Sequence, residues 1–237
     1  MGKDDLRNTN YVIDIGPIPS LPVEGSDARF PVGRIYCVGR NYAEHAREMG
    51  HDPEREPPFF FMKPADAIVH NGATIPYPQV TKDLHHEIEM IVAIGKDGAS
   101  IPVEKALDHV FGYGVGLDMT RRDLQGEAKK MGRPWEMGKS FDNSAPCTAL
   151  KTVAMVGHPA KGAIWLKVNG KIVQKGDLSE LIWNVPETIS YLSNLITLRA
   201  GDIIMSGTPA GVGPVKAGDR LEGYVEGVGD LAVTYAK

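Results

Sequence analysis

Residues 84–94 read LHHEIEMIVAI, an apolar segment with the composition of a buried strand that nevertheless carries two glutamates, Glu87 and Glu89. Successive side chains of a strand point to opposite faces, so residues two apart share a face, with their Cα atoms roughly 7 Å apart. Two carboxylates on one buried face repel each other, and burying their charge is costly unless a cation compensates it. The segment therefore predicts a strand whose two carboxylates are held together by a positive partner.

A hard divalent cation is the simplest partner for these carboxylates. Mg²⁺, Mn²⁺ and Ca²⁺ bind oxygen ligands, and carboxylates at i and i+2 of a strand can converge on one ion. Asp118 ends the glycine-flanked segment GYGVGLD (112–118) and is a candidate third ligand. The alternative for an isolated E-x-E pattern is a solvated strand face. Zinc bound through His85 and His86 is disfavoured, because adjacent strand residues face opposite ways.

The composition of the whole chain limits its class. The 237 residues are 42% hydrophobic and 24% charged, with a net charge of −4, close to average globular usage. The apolar runs are far shorter than the ~20 residues of a membrane span, and the polar N-terminus lacks a secretory signal. Two isolated cysteines, Cys37 and Cys147, favour reduced thiols. These features predict a cytoplasmic protein that binds neither membrane nor nucleic acid.

The pattern along the chain favours many short strands and few helices. Residues 1–30 are rich in proline and predict an irregular arm, followed by one domain at 31–237. Two alternating runs joined by Asn169-Gly170 predict a type I′ hairpin. Residues 120–132 predict a short helix. Residues 184–198 predict another, with Pro186 in its first turn and apolar residues at helical spacing. The expected fold class is α+β, dominated by strands.

A histidine and a glutamate lie on another predicted short helix, GRNYAEHAREMG (39–50). His45 and Glu48 are three residues apart and share a helical face, so the carboxylate can orient the imidazole. This arrangement suits a general base that activates water. The alternative is an exposed histidine–glutamate pair without a catalytic role. Nucleophilic catalysis is less well supported, because no G-x-S-x-G sequence occurs and Cys37 lies within an apolar strand.

Six motifs occur in a fixed order along the chain: GRNYAEHAREMG, PPFFFMKP, HEIEMIVAIG, GYGVGLDMTRRDLQ, GKSFDNSAP and ITLRAGDIIMSGTPAGVGP. Together they resemble the fumarylacetoacetate hydrolase superfamily, especially its small acylpyruvate and fumarylpyruvate hydrolase branch, over residues 30–235. The resemblance implies a β-roll with short peripheral helices, a catalytic domain at 31–237 and a homodimer.

The resemblance also implies roles for individual residues. It implies Mg²⁺ or Mn²⁺ held by three carboxylates, namely Glu87, Glu89 and Asp118. The implied catalytic set is His45, Glu48, Lys139 and Gln125, and the implied substrate contacts are Arg122, Thr208 and Lys63. The larger relatives have an extra N-terminal domain and a further acidic ligand, neither of which is found in this sequence. That difference argues against fumarylacetoacetate itself as the substrate.

The implied reaction is hydrolysis of a carbon–carbon bond in a 2,4-dioxo acid. Fumarylpyruvate, cleaved to fumarate and pyruvate in the gentisate branch of aromatic degradation, is the expected substrate. Residues 121–139 contain six basic and three acidic residues, which suits a small dianionic oxo acid. Alternatives are a general acylpyruvase or oxaloacetate decarboxylase, and an isomerase or hydratase of oxo-dienoates. Decarboxylation needs no base to activate water, so His45 and Glu48 favour the hydrolase. The complete catalytic set disfavours a non-enzymatic metal-binding protein.

Overall fold

The computed structural model describes residues 12–13, 16–43 and 56–237. Strands dominate this part of the chain, which confirms the predicted β-dominated α+β class. Eighteen strands lie within the described residues: β1 (Ser20–Val23), β2 (Ser26–Pro31), β3 (Arg34–Gly39), β4 (Phe59–Lys63), β5 (Ile68–His70), β6 (Thr74–Ile75), β7 (Leu84–His86), β8 (Ile88–Ile94), β9 (Val110–Leu117), β10 (Thr120–Arg121), β11 (Ala145–Cys147), β12 (Lys151–Thr152), β13 (Ala163–Val168), β14 (Lys171–Asp177), β15 (Asp202–Met205), β16 (Gly213–Val215), β17 (Arg220–Val225) and β18 (Gly229–Tyr235).

The helices of the described residues are short. The α-helices are α1 (Arg122–Lys130), α2 (Glu136–Lys139), α3 (Val153–Val156) and α4 (Val185–Leu195), and 3₁₀ turns span Ala65–Ala67, Val103–His109 and Leu178–Glu180. Helix α4 begins as predicted, since the Asn184 side chain accepts from Glu187 N at 3.0 Å and a proline occupies the first turn. Within the described ranges, no helix is both long and apolar enough to cross a membrane.

The largest sheet has the strand order β4-β3-β15-β8-β9-β11-β5, with β12 beside β9, and it curls into a half-barrel. Strand β8 lies near its middle, antiparallel to both β15 and β9. All seven residues of β8 are buried, because both faces of this strand are covered by protein. The apolar segment that follows Glu87 is thus a central strand, and its glutamate lies in the protein interior.

Three smaller sheets complete the described part of the chain, and one of them is the two-stranded sheet of β1 and β2. The five-stranded sheet has the order β14-β13-β17-β18-β6. Its β13–β14 hairpin turns at Asn169 (φ 50°) and Gly170 (φ 80°), and two positive φ angles are the mark of the predicted type I′ turn. The three-stranded sheet has the order β10-β7-β16. Cys37 and Cys147 are both free thiols within the buried core.

Part of the proline-rich arm forms a hairpin. Strands β1 and β2 pair antiparallel, with Leu21 opposite Phe30, and both of these side chains are buried. The irregular structure expected for residues 1–30 is therefore not found at 20–30. Pro22 is compatible with β1 because each strand of a two-stranded ribbon has an edge that needs no N–H donor.

A corner between the sheets positions the site. The chain passes from β7 to β8 at Glu87, and from β9 to β10 at Asp118 and Met119. Because β8 pairs with β9 while β7 pairs with β10, the two corners lie side by side. Asp118 N donates to the Glu87 carbonyl at 2.9 Å. The topology therefore places two acidic residues that are distant in sequence next to each other.

Candidate active site

Three buried carboxylates form a cluster at this corner. One oxygen from each of Glu87, Glu89 and Asp118 lies within 4.8 Å of the others. The exposed fractions are 5%, 2% and 0% respectively. The two glutamate carboxylates converge as predicted, but not from one strand face, because Glu87 lies at the corner between β7 and β8 and Glu89 lies within β8. The candidate third ligand, Asp118, lies beside them.

Three cations compensate this cluster. Lys139 Nζ lies 2.8 Å from Glu87 Oε2 and 2.7 Å from Asp118 Oδ2. Lys63 Nζ lies 2.8 Å from Asp118 Oδ1, and Arg122 Nη2 lies 2.5 Å from Glu87 Oε1. Burying ionised side chains is tolerated only with such close pairing. Two of the three carboxylates are therefore bound to side-chain cations.

Glu89 is held by the backbone instead. Its Oε2 accepts from Gly207 N at 2.7 Å, and no lysine or arginine of the described residues forms an ion pair with it. Burial, together with the charges of Asp118 and Glu87, raises the pKa of Glu89 well above its usual range. Only glycine fits at residue 207, where φ is +100° and a Cβ would lie 2.6 Å from Asn41 Cβ.

The cluster has the donor chemistry of a hard divalent cation site. Its candidate ligands are carboxylates from three separate positions, they converge within 4.8 Å, and oxygen donors of this kind suit Mg²⁺, Mn²⁺ or Ca²⁺. Glu89 in particular lacks a paired side-chain cation among the described residues. The three residues could hold one such ion and leave coordination positions for water and substrate.

Close helix packing positions Lys139. Helix α2 lies against α1 so tightly that a Cβ at Gly138 would be 2.9 Å from Gln125 N. The resulting contact brings Lys139 and Gln125 to the same place. Burial alone would lower the pKa of Lys139, but the neighbouring Asp118 and Glu87 carboxylates raise it above its ordinary value. Lys139 is therefore a buried cation at neutral pH.

A cavity of about 380 Å³ opens beside the carboxylate cluster. Six residues singled out in the sequence line it, namely Glu87, Glu89, Arg122, Gln125, Lys139 and Thr208. Arg122 Nη1 donates to Gln125 Oε1 at 2.7 Å, so the NH₂ group of Gln125 is the part of its amide that can donate to a ligand. The cavity thus combines acidic ligands with several hydrogen-bond donors.

The structure does not place three of the predicted site residues in the cavity. Lys63 is 1% exposed and lies behind Asp118, where its Nζ also donates to the carbonyl oxygens of Met119 and Lys139. It does not line the cavity, and this placement favours charge compensation over the expected substrate contact. His45 and Glu48 lie outside the described residues, so the general-base assignment stays a prediction.

Gln174 is a site residue that the sequence analysis missed. It is 1% exposed, and its Oε1 accepts from Ile88 N at 3.1 Å and lies 2.9 Å from His86 Nδ1. Its Nε2 donates to Thr208 Oγ1 and to the Pro209 carbonyl, both at 2.8 Å. Gln174 lies in a hairpin strand with no motif around it, so no local signal points to this contact.

An aromatic wall of the cavity was also missed. Phe59, Phe61 and Trp135 line the cavity, together with Arg40 and Lys129. The sequence shows the aromatic run at 59–61 and the basic stretch at 121–139, but nothing in it indicates that these segments meet.

Known proteins resemble this chain in both fold and sequence. The fumarylacetoacetate (FAA) hydrolase C-terminal family model matches residues 34–235. The fumarylpyruvate hydrolase from Pseudomonas aeruginosa, solved in complex with Mn²⁺ and pyruvate, is 55% identical with a TM-score of 0.93, over 96% of this chain and 99% of that one.

Relatives with other activities are also similar. The mitochondrial oxaloacetate tautomerase FAHD1 of Homo sapiens is 47% identical over 194 residues, 82% of this chain and 87% of that protein. The structure of 5-carboxymethyl-2-hydroxymuconate delta-isomerase from Mycobacterium smegmatis is 32% identical with a TM-score of 0.77, over 87% of this chain and 80% of that one. The match of the family model over most of the chain, with relatives of such high identity, shows that this protein belongs to the fumarylacetoacetate hydrolase family.

Proposed function

We propose that this protein is a metal-dependent hydrolase that cleaves fumarylpyruvate to fumarate and pyruvate. The observation that carries the proposal is the cavity in which Glu87 and Glu89 of the three-carboxylate cluster meet Arg122, Gln125 and Lys139. Support comes from the Pseudomonas aeruginosa fumarylpyruvate hydrolase, which is similar over nearly the whole chain and was solved with Mn²⁺ and pyruvate.

Glu87, Glu89 and Asp118 would hold Mg²⁺ or Mn²⁺, since both ions accept oxygen ligands. When bound, the ion supplies Lewis-acid stabilisation of an enolate and orients the 2-oxo-carboxylate end of the substrate. Arg122 already spans Glu87 and Gln125, and its planar guanidinium is suited to a carboxylate at that end.

The remaining chemistry falls to side chains of the cavity and to the predicted base. His45, oriented by Glu48, would take a proton from water as the water oxygen attacks the distal carbonyl. Lys139 and the NH₂ group of Gln125 would donate to the oxyanion that forms, a contact worth about 3–4 kcal/mol in other enzymes. The carbon–carbon bond then breaks, its electron pair forms the pyruvate enolate, and the proton is returned to the enolate carbon.

A His45→Ala variant tests the role of the base. Loss of a positioned general base lowers kcat by about 10²–10⁴-fold, whereas Mn²⁺ affinity should be retained because His45 is not a proposed ligand. The measurement is kcat on fumarylpyruvate alongside a Mn²⁺ titration. An unchanged kcat would remove His45 from this role, and no turnover of fumarylpyruvate by metal-loaded wild-type protein would refute the proposed function.

A second candidate is a general acylpyruvase or an enzyme acting on oxaloacetate. It is favoured by the similarity to human oxaloacetate tautomerase FAHD1 and by a cation-lined cavity that suits any small oxo-acid anion. Absorbance assays with fumarylpyruvate, maleylpyruvate, acetylpyruvate and oxaloacetate, each with Mg²⁺, Mn²⁺ or chelator, separate the two. Fast metal-dependent loss of fumarylpyruvate alone supports the hydrolase, and a preference for oxaloacetate or acetylpyruvate supports the second candidate.

The assembly of the protein is proposed from the family resemblance, and its location from the composition of the sequence. We expect a cytoplasmic homodimer that binds a small anionic oxo acid. Analytical ultracentrifugation measures the assembly directly, and a sedimenting mass of one chain would contradict the dimer.

A further inference from the structure

One wall of the cavity is built from two aromatic rings, each in contact with one cation. The rings of Phe59 and Trp135 meet edge to face, with centroids 5.2 Å apart. Arg40 Cζ lies 5.3 Å from the Phe59 centroid, and Lys129 Nζ lies 4.8 Å from the Trp135 centroid. The contacts along this wall therefore run from Arg40 to Phe59, from Phe59 to Trp135, and from Trp135 to Lys129.

The backbone is shaped to hold this wall. A Cβ on Gly39 would lie 2.0 Å from Phe59 Cζ, so the ring lies directly against the glycine backbone. Arg40 follows at once with φ 56°, a left-handed conformation that is uncommon for a residue other than glycine. Such strain is typical of functional positions. The cation at residue 40 is thus fixed beside the ring by the local backbone.

These two cations differ from the others at the site because no acidic side chain of the described residues forms an ion pair with them. Arg122, Lys139 and Lys63 each form an ion pair with Glu87 or Asp118. Within the described residues, the side chains of Arg40 and Lys129 form no ion pair and no hydrogen bond, and each lies against a ring face. Both are half-buried, so each has lost part of its hydration, while no acidic side chain of the described residues pairs with it.

The energetics of the two side chains agree with this geometry. Burial lowers the pKa of Lys129 to about 8, and the positive charges of Arg122 and Arg40 lower it further. Burial also lowers the pKa of Arg40, which Glu56 opposes without forming an ion pair. A ligand anion placed between the two cations would relieve both penalties, because it supplies the missing opposite charge.

We propose that Arg40 and Lys129 bind a second carboxylate, at the end of the substrate remote from the carboxylate cluster. This inference rests on the proposed function and deepens it, because it names the two residues that would select dicarboxylic dioxo acids over monocarboxylic acylpyruvates. Phe59 and Trp135 line the same cavity and offer an apolar surface to the carbon chain that joins the two ends of such a substrate.

The decisive variant is Lys129→Met, which keeps an apolar stem over Trp135 and removes the charge. Lys130→Met is the matched control, since Lys130 is the exposed neighbour on the same helix. With Mn²⁺ present, kcat/KM on fumarylpyruvate should fall about tenfold through KM, as expected for loss of a charged hydrogen bond. On acetylpyruvate, which lacks the second carboxylate, it should change less than about twofold. Arg40→Gln should cause the same selective loss.

The outcomes distinguish the two proposals. If Lys129→Met lowers kcat/KM equally for fumarylpyruvate and acetylpyruvate, or leaves KM for fumarylpyruvate unchanged, the carboxylate subsite is refuted. The hydrolase proposal is not affected by that result. If wild-type protein does not cleave fumarylpyruvate, the hydrolase proposal fails. The subsite is then decided by calorimetric titration of Mn²⁺-loaded protein with fumarate and with its monocarboxylic analogue crotonate. A preference for fumarate that Lys129→Met abolishes supports it, and equal affinities refute it.

Discussion

Gln174 Nε2 donates to Thr208 Oγ1 at 2.8 Å, and both side chains are almost completely buried. The amide cannot be reversed, because its oxygen accepts from Ile88 N and its NH₂ group also donates to the Pro209 carbonyl. Thr208 Oγ1 therefore accepts from Gln174, and its own hydrogen points to a different partner. Since Thr208 lines the cavity, this arrangement makes its hydroxyl a donor for an anionic substrate.

Replacing Gln174 by Glu tests this relationship. The variant keeps an acceptor for Ile88 N but removes the donor to Thr208, so we expect kcat/KM on fumarylpyruvate to fall about tenfold, near the upper range for one hydrogen bond. Thr208→Val should cause a similar loss. In a double-mutant cycle, the double variant should be little worse than either single variant. Fully additive losses would show that Gln174 does not act through Thr208.

Glu89→Gln should weaken metal binding itself. The amide retains the size of the side chain and can still accept from Gly207 N, but it loses the charge that a divalent ion requires. Partners beyond the ligand shell already cost 10–100-fold in affinity, so loss of a ligand should raise the Kd for Mn²⁺ by at least about 100-fold. Electron paramagnetic resonance of free Mn²⁺ measures this, with exposed Glu127→Gln as control. Retention of tight stoichiometric Mn²⁺ would contradict the ligand assignment.

Lys139→Met should destabilise the protein more without a bound metal ion than with one. It leaves Glu87 and Asp118 with one fewer cation, and breaking a buried ion pair costs about 3–5 kcal/mol of unfolding free energy. Added Mn²⁺ should restore part of this stability, because the ion replaces the missing positive charge. Urea unfolding with chelator and with Mn²⁺ measures both values, and Lys130→Met should change stability by less than about 0.5 kcal/mol. Equal losses in the two conditions would argue against a shared charge balance.

Lys129 predicts a pH dependence that differs between substrates. Burial, then Arg122 and Arg40, lowers its pKa to about 8 from an ordinary value near 10.5, against the opposing charge of Glu87. Lys129 is therefore cationic below pH 8 and loses its proton as the pH rises through that value. The ratio of kcat/KM for fumarylpyruvate to that for acetylpyruvate should fall above pH 8, and kcat/KM reports the free enzyme. A ratio that is flat in wild type, or that falls equally in Lys129→Met, would contradict this assignment.

Local patterns predicted much of the fold. The turn at Asn169-Gly170 and the helix after Asn184 formed as expected, because each is specified by residues that are neighbours in sequence. The strand expected at 84–94 is divided at Glu87 into β7 and β8, which belong to different sheets. The hairpin formed by β1 and β2 was not predicted, since the many prolines around it are more typical of irregular chain.

The site residues that could be predicted are those marked by a pattern in the sequence immediately around them. Glu87 and Glu89 were identified from their spacing, and Asp118 from its position after a glycine-rich strand. Gln174 was missed because its role depends on Thr208, which lies on a segment distant in sequence. Lys129 was missed because its role depends on the meeting of its segment with Arg40 and Phe59, which are distant in sequence. No periodicity encodes either meeting.

The contact at Gly207 links parts of the site that could otherwise vary separately. Its N–H holds Glu89, its neighbour is Thr208, and its missing Cβ makes room for Asn41, whose side chain in turn binds Trp183 N and O. A change at residue 207 would therefore disturb the cation ligand, the substrate hydroxyl and the start of α4 together. An attempt to redesign substrate preference has little freedom here. The side chains of Phe59 and Trp135 line the same cavity and, in the described part of the chain, form no hydrogen bond with the carboxylate cluster, so we expect single substitutions there to alter selectivity with less effect on the cation site than a change at residue 207.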